Sequence, residues 1–325
     1  MSVSVSMSVW MALVFGGALL AALAIDRWLG EPPARLHPVV WMGNYLNWAA
    51  RQTQPNPSPA VRDLKSFWLA AAYWWVGAAM VLVVAWAVQW SASQLPGYLA
   101  VLLLGLALKP MLAWAMLRSE VQAVEAALGQ SLDSGRKRLS MLVSRDTANL
   151  SESEVRESAI ESLAENLNDS VVAPIFWFAL FGLPGAAVYR FANTADAMWG
   201  YRGLRNGVNW EWAGKWAAWA DDVLSWLPAR ITALLLALIS GGIRLKLLRD
   251  EARKTPSPNS GWPMAAMALA LGVRLQKYGV YALNPSGRPP EPKDTFLAQK
   301  KASKVVVAAC LWAQAAILLI AYLKT

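Results

Sequence analysis

The sequence predicts an all-α, polytopic integral membrane protein with about four transmembrane helices and further broken or re-entrant apolar helices. Hydrophobic residues occupy 56% of the 325 positions and charged residues only 16%, whereas soluble domains are nearer to half apolar and a quarter charged. The chain contains 19 tryptophans, a residue enriched at membrane interfaces. Several uncharged runs are also long enough to cross a bilayer.

Composition excludes several other classes of protein. The single cysteine, Cys310, rules out a disulfide framework and a cysteine-based zinc site. The single histidine, His37, rules out a multi-histidine metal centre. The low content of charged residues argues against a disordered chain and against a nucleic-acid partner.

Four stretches of the chain predict membrane-spanning helices. A span needs roughly 20 apolar residues, and this condition is met near residues 5–25, 67–90, 97–117 and 303–323. The first stretch lacks a positively charged start and an obvious cleavage site, so we do not expect a cleaved signal peptide.

The distribution of lysine and arginine predicts the orientation in the membrane. Segment 26–65 carries five basic residues, the turn at 91–96 carries none, and segment 244–304 is strongly basic. Because basic loops stay inside the cell, we expect both basic segments on the cytoplasmic side of the cell (inner) membrane. The number of crossings between residues 118 and 244 must then be even.

Two apolar stretches between those segments are defective as spans. Stretch 170–189 contains the sequence Gly-Leu-Pro-Gly at 182–185, and stretch 223–243 contains Arg230. Broken apolar helices at membrane depth usually line a protein cavity. We therefore favour zero crossings, with re-entrant or interfacial hairpins; the alternative of two crossings places 190–222 outside.

No repeat or low-complexity linker divides the chain. Segment 54–59 is proline-rich but short, and it predicts a loop rather than a domain boundary. We therefore treat residues 1–325 as a single membrane-embedded domain.

An acidic stripe marks the polar middle of the chain. Ser151 and Glu154 predict a capping box that opens a helix, and acids follow on one face at Glu157, Glu161, Glu165 and Asp169. A solvated acidic face is one explanation. Flanking small polar residues and the basic overall charge of +9 favour the other, a ligand site, and carboxylate with amide oxygens suits Mg²⁺.

Further polar patches lie beside the apolar hairpins. Asp221 and Asp222 precede the second defective stretch, and an ion pair between Asp222 and Arg230 is one explanation for that acid. The loop at 256–263 is rich in proline and opens a short apolar helix. We expect free backbone amides at this helix start that could hold an anion such as phosphate.

Taken together, these patches resemble the CobD/CbiB family of cobalamin-biosynthesis membrane proteins. The family patterns are D-x-x-x-G-D-P…H-P-V…G, G-R-D-T, E-S-x-A-E-N-x-x-D, N-T-x-D-x-M-x-G-Y, D-D…P-A-R and P-S-P-N-x-G-W-P. They match, in order, residues 26–43, 144–147, 161–169, 193–201, 221–230 and 256–263. The chain departs from them with Glu31 in place of aspartate and Ser144 in place of glycine.

The resemblance implies an adenosylcobinamide-phosphate synthase. Such an enzyme joins the free propionate carboxyl of adenosylcobyric acid to (R)-1-aminopropan-2-ol, or its O-phosphate, and consumes ATP. It would act at the cytoplasmic face with Mg²⁺, and other late cobalamin-pathway membrane enzymes are further candidate partners. The chain has no P-loop or glycine-rich kinase motif, so we do not expect a standard nucleotide site.

The resemblance also assigns roles to individual residues. The expected metal ligands are Glu161, Glu165, Asp169 and Asp196. The residues expected to neutralise phosphate are Arg145, Arg202 and Arg230, and the candidate bases for the incoming ammonium are Asp222, Asp221 and His37. The residues expected to contact the nucleotide are Asn193, Thr194, Ser257, Asn259 and Gly261.

Two other functions compete with the ligase. A non-catalytic membrane signalling protein of the AmpE type would share the architecture, but it should lack several of the acidic positions that are present here. A transporter should place ionisable residues within its spans. The four predicted spans contain essentially only Lys109, which disfavours transport.

Overall fold

The computed structural model describes residues 2–53, 55, 62–205 and 207–323. Its helices are α1 (Ser2–Leu29), α2 (Pro38–Thr53), α3 (Leu64–Ser93), α4 (Gly97–Leu108), α5 (Trp114–Leu128), α6 (Leu132–Leu139), α7 (Glu152–Leu167), α8 (Ala173–Trp199), α9 (Trp210–Ala213), α10 (Lys215–Ile239), α11 (Leu245–Ala252), α12 (Gly261–Leu271) and α13 (Pro292–Leu323). Two short antiparallel hairpins pair β1 (Leu204–Arg205) with β2 (Val208–Asn209) and β3 (Leu275–Lys277) with β4 (Tyr281–Leu283). The predicted loop at 54–59 lies, apart from Pro55, outside the described residues.

Six segments of the described chain are long and apolar enough to cross a membrane. They are Val9–Leu29, Leu64–Ser93, Gly97–Leu128, Glu152–Trp199, Lys215–Ile239 and Pro292–Leu323. The predicted all-α polytopic fold is therefore confirmed, and each of the four predicted spans overlaps one of these segments. The other two segments overlap the stretches predicted to be defective, 170–189 and 223–243. Their length and composition permit two crossings there, which is the alternative that the sequence left open.

Helix α8 is broken where the Gly-Leu-Pro-Gly sequence predicts a break. Gly182 has a φ of 67° and a ψ of −154°, outside the helical region, and glycine adopts this positive φ without a steric penalty. The Leu183 amide after the break donates a hydrogen bond of 2.8 Å to Oε1 of Gln89 on α3. The side chain thus satisfies a backbone donor that the break releases from the helix, as an apolar environment requires.

The segment that contains the predicted span at 97–117 is interrupted in the structure. Helix α4 ends at Leu108, a 3₁₀ turn covers Lys109–Met111, and Leu112 is extended with a ψ of 144° before α5 begins. Pro110 explains the interruption, because proline lacks the amide hydrogen that a continuing α-helix needs.

The described chain forms two compact units. One comprises the described residues within 1–112, 173–224 and 312–325, and the other comprises 113–172 and 225–311. A single domain over 1–325 stays a prediction.

In the first unit, small residues allow close packing of helices. Gly105 of α4 lies against Ala21 of α1, and Gly77 of α3 lies against the ring of Phe191 on α8. A side chain at either glycine would collide with these neighbours. Close approach of backbones through small residues is typical of helix packing in membranes.

The first unit also contains a buried ion cluster around Lys109. Its Nζ lies 3.3 Å from Oδ1 of Asp26 and 2.6 Å from Oε2 of Glu31. The side chains of Lys109 and Asp26 are only 3% and 1% exposed. The one charge that the sequence placed within the predicted spans is therefore neutralised by carboxylates from the end of α1 and the loop after it.

Replacing Lys109 by methionine should destabilise the protein by about 3–5 kcal/mol, because it leaves buried carboxylates without their counter-charge. Thermal unfolding in detergent would measure this against Lys65→Met, which removes an exposed lysine. Adding Asp26→Asn and Glu31→Gln to Lys109→Met should restore part of the loss. Equal melting temperatures of the Lys109→Met and Lys65→Met variants would show that the cluster does not stabilise the fold.

Candidate functional site

Helix α7, in the second unit, begins with the predicted capping box. The Ser151 amide donates to Oε2 of Glu154 at 2.7 Å, and the Glu154 amide donates to Oγ of Ser151 at 3.4 Å. This cap fixes where the helix starts and therefore which residues face the interior. The apolar sector is fully buried; its members are Val155, Ile160, Leu163 and Leu167.

The acidic side of α7 is largely buried as well. Glu157 is 0% exposed and Glu161 is 5% exposed, so a solvated acidic face is wrong for these two residues. Nη2 of Arg274 lies 3.2 Å from Oε1 of Glu157, and Nη2 of Arg145 lies 3.1 Å from Oε2 of Glu161. Each buried carboxylate thus has a basic partner, as its burial requires.

A polar pocket, which we call the α7 pocket, opens beside this helix. It has a volume of about 180 Å³, and its charged and phenolic lining residues are Arg145, Glu161, Glu165, Lys277 and Tyr281. Ser158, Ser162 and Asn166, which flank the acidic stripe in the sequence, line it too. Arg145 donates to Oγ of Ser158 as well as to Glu161. The structure therefore brings together three of the predicted site residues, namely Arg145, Glu161 and Glu165.

Sequence reasoning missed Lys277 and Tyr281. They face each other as a register pair of the β3–β4 hairpin, whose turn contains Gly279 with a φ of 71°. A glycine flanked by short alternating segments is the only sequence signal for this hairpin. Burial, together with the carboxylates of Glu161 and Glu165, raises the pKa of Tyr281 above its ordinary value. Its hydroxyl therefore stays protonated and can donate.

The α7 pocket suits Mg²⁺ held jointly with a phosphate group. Oε1 of Glu161 is buried and makes no hydrogen bond to another described residue. Mg²⁺ is commonly bound through one or two carboxylates together with substrate phosphates, and Glu161 and Glu165 supply such a pair. Within the described ranges, no group of three or more His, Cys, Asp or Glu side chains could hold a metal alone.

The other two predicted metal ligands do not line the α7 pocket. Asp169 lies on a π-helical turn at Asn168–Val172 and accepts a hydrogen bond of 2.7 Å from Nδ2 of Asn168. Asp196 belongs to α8 in the first unit, where its carboxylate lies against Gly200. Their role as ligands stays a prediction.

Arg230 is bound to the loop at 256–263. Its Nη1 donates to Oδ1 of Asn259 at 2.6 Å and its Nη2 donates to the Pro258 carbonyl at 3.1 Å. The rings of Trp226 and Trp262 lie 4.5 and 5.0 Å from the guanidinium carbon. Arg230 therefore holds the loop, and these contacts differ from the ion pair with Asp222 considered from the sequence.

The expectation of free amides at the start of α12 is wrong at three positions. The amides of Asn259 and Ser260 both donate to Oγ of Ser257 at 3.2 Å, and the Trp262 amide donates to the Asn259 carbonyl. The side chain of Ser257 takes the place of an anion at these donors. Gly261 lies against the Ala252 carbonyl, where a larger residue would collide.

In the first unit, Asn193 and Asp221 lie together. Nδ2 of Asn193 donates to Oδ1 of Asp221 at 3.3 Å, which links α8 to α10. Arg202 lies within electrostatic reach of Asp222. Thr194 instead donates to the carbonyl of Arg190 within its own helix.

Both ring nitrogens of His37 are already engaged. Nδ1 accepts a hydrogen bond of 3.2 Å from the Val39 amide, and Nε2 lies 3.1 Å from Oε2 of Glu31. The same Glu31 oxygen contacts Lys109. His37 therefore connects the loop to the Lys109 cluster, and in this arrangement neither nitrogen is available to accept a substrate proton.

The fold and the α7 pocket define an all-α, multi-pass membrane protein with a buried acidic helix facing basic and phenolic side chains. The family described as CobD/Cbib protein matches residues 19–310. The chain belongs to this family, and the family supports a role in cobalamin biosynthesis.

Named relatives agree with this assignment. A probable cobalamin biosynthesis protein CobD of Methanothermobacter thermautotrophicus is 40% identical over 82% of this chain and 85% of its own length. A protein of the same name from Pyrococcus abyssi is 40% identical over 84% and 86%. The cobalamin biosynthesis protein CobD of Brucella anthropi is 36% identical over 83% and 86%. No solved structure shows significant similarity to the chain.

Ordinary tyrosines have a pKa of about 10 and are ionised at about pH 11. Because the pKa of Tyr281 is raised, we expect that this residue does not contribute to the tyrosinate absorbance at that pH. Replacing it by phenylalanine should leave the absorbance at that pH unchanged. The control Tyr278→Phe removes an exposed tyrosine of the same hairpin and should lower the absorbance. A comparable decrease for Tyr281→Phe would contradict the burial of its hydroxyl among carboxylates.

Proposed function

We propose that the protein catalyses an ATP-dependent amide ligation. It would join the free propionate carboxyl of adenosylcobyric acid to (R)-1-aminopropan-2-ol or its O-phosphate, giving adenosylcobinamide or its phosphate. The observation that carries the proposal is the α7 pocket, where two carboxylates and two basic side chains line one small polar cavity. The family resemblance supplies the substrates.

The chemistry requires activation, because a carboxylate does not react directly with an amine. Transfer of the γ-phosphoryl group of ATP to a carboxylate oxygen forms an acyl phosphate and releases ADP. The neutral amine then attacks the acyl carbon, a C–N bond forms, and the phosphate leaves with the electrons of the C–O bond. A base removes the proton of the ammonium group. Phosphoryl transfer is catalysed mainly by positioning and charge neutralisation.

The residues of the α7 pocket suit the first of these steps. Arg145 and Lys277 would neutralise phosphate oxygens; both observed contacts of Arg145 use Nη2, so the guanidinium has further donors. Glu161 and Glu165 would hold Mg²⁺, which supplies positive charge at the phosphates when it is bound. The protonated hydroxyl of Tyr281 would donate a hydrogen bond to a phosphate oxygen.

The size of the α7 pocket limits what it can bind. Its volume of about 180 Å³ is below the roughly 300–1,000 Å³ of pockets that enclose a whole drug-sized ligand. We propose that it receives phosphate groups and the metal, while the corrinoid ring binds outside it. The proposed orientation faces the cytoplasm of the inner membrane, where ATP is available. The roles expected of Asp196, Asp221, Asp222 and Arg202 stay predictions.

The ligase is tested by following amide formation by mass spectrometry. Purified protein in detergent is given adenosylcobyric acid, Mg²⁺-ATP and either aminopropanol or its phosphate. Glu165→Gln should lower the rate on the order of a hundredfold or more, because it removes a proposed ligand of the Mg²⁺ that would neutralise the phosphates during phosphoryl transfer. The control Glu152→Gln changes an exposed acid of the same helix outside the pocket and should have little effect.

Each outcome has a distinct meaning. Product formation that is lost in Glu165→Gln and kept in Glu152→Gln supports both the ligase and the pocket. Full activity of Glu165→Gln would keep the ligase and reject the α7 pocket as its site, in which case Asp196→Asn is the next variant. If folded protein forms no product with either amine, the ligase is rejected in favour of a signalling role of the AmpE type.

A further inference from the structure

A second cavity in the second unit lies between α5 and α13. This α5–α13 groove has a volume of about 480 Å³, and its charged lining residues are Arg118, Lys300 and Lys304. Phe296 and Val307 line it as well. It shares no residue with the α7 pocket and plays no part in the proposed ligation.

The groove is built on one face of α13. Phe296, Lys300, Lys304 and Val307 follow one another at spacings of four, four and three residues, which places them in line along a helix. Nε2 of Gln299 lies 3.5 Å from the carbonyl of Arg118 and joins α13 to the facing α5. The three cations are therefore brought together by tertiary packing.

These cations are exposed and form no ion pair with another described residue. In the described part of the chain, Arg118, Lys300 and Lys304 take part in no ion pair within 4.0 Å, whereas the acids of α5 are used elsewhere. Glu120 pairs with Arg138, and Glu125 pairs with Arg156. Three like charges around one cavity repel each other, so an anion bound there would relieve their repulsion.

The groove also lies at the end of two predicted membrane spans. Arg118 is the first charged residue after the predicted span at 97–117, and Lys304 immediately precedes the uncharged stretch at 305–323. Both positions mark the boundary between apolar core and headgroups on the same, basic side of the membrane. Val307, 61% exposed, belongs to this uncharged stretch and extends the groove along it.

We propose that the α5–α13 groove binds an anionic phospholipid, with the headgroup phosphate between Arg118, Lys300 and Lys304 and an acyl chain along Val307. The combination of cations with an apolar continuation favours a lipid over a soluble phosphate compound, which would gain nothing from the apolar part. Basic pockets between membrane helices on the cytoplasmic side are suited to anionic headgroups.

The binding can be measured with the full-length protein in nanodiscs that contain phosphatidylglycerol and phosphatidylcholine. Native mass spectrometry then counts the lipids that each protein retains. The variant carrying Arg118→Gln, Lys300→Gln and Lys304→Gln should bind phosphatidylglycerol on the order of a hundredfold more weakly, given the contribution of each basic residue near a charged surface. The matched control carries Lys246→Gln, Arg249→Gln and Arg253→Gln, which remove three exposed cations of the same unit outside the groove.

The expected pattern is a preference for phosphatidylglycerol that the groove variant loses and the control keeps. Lys300→Arg with Lys304→Arg should retain binding, which separates loss of charge from loss of fold. Equal loss in both triple variants, or equal retention of the two lipids by the unaltered protein, would overturn the proposal. Displacement of the lipid by inorganic phosphate would also overturn it, because the site would then recognise a free anion.

Discussion

The pairing of buried carboxylates with basic side chains is the interaction on which the candidate site depends. Helix α7 carries Glu157 and Glu161 into the interior of its unit, where an unpaired charge would cost several kcal/mol. Arg274 and Arg145 offset that cost at 3.2 and 3.1 Å. Because these arginines come from segments on either side of α7 in the chain, the ion pairs also hold those segments against the helix. Of these four residues, Arg145 and Glu161 line the α7 pocket, so their ion pair fixes part of its polar wall.

Features that depend on neighbouring residues could be predicted from the sequence, and features that depend on distant partners could not. The capping box at Ser151 and the break at Gly182 follow from local backbone chemistry, and both are present. The burial of Glu157 could not be predicted, since its partner Arg274 lies 117 residues away in the chain. Strands of three residues, such as β3 and β4, are too short for a periodic pattern, so Lys277 and Tyr281 were missed.

In the structure, two residues that were predicted to be catalytic hold loops in place instead. His37 and Arg230 resembled catalytic groups in the sequence, but their polar atoms are engaged by Glu31 and Val39 in one case and by Asn259 and Pro258 in the other. Side chains engaged in this way position loops. Arg145, by contrast, lines an open cavity beside two carboxylates. The residues best placed to act on a phosphorylated ligand are therefore those of the α7 pocket.

The small volume of that pocket constrains how the proposed ligation could work. A corrinoid ring cannot enter about 180 Å³, so only the propionate side chain would need to approach the phosphates. Catalysis would then depend on holding a large substrate by its periphery while one carboxyl group reaches the reacting phosphorus. The ionic contacts that fix Arg145 and Glu161 keep the polar groups of the pocket in place without help from the substrate. Such preorganisation is what charge-stabilising catalysis requires, because reorienting these groups during the reaction would cost part of the stabilisation they provide.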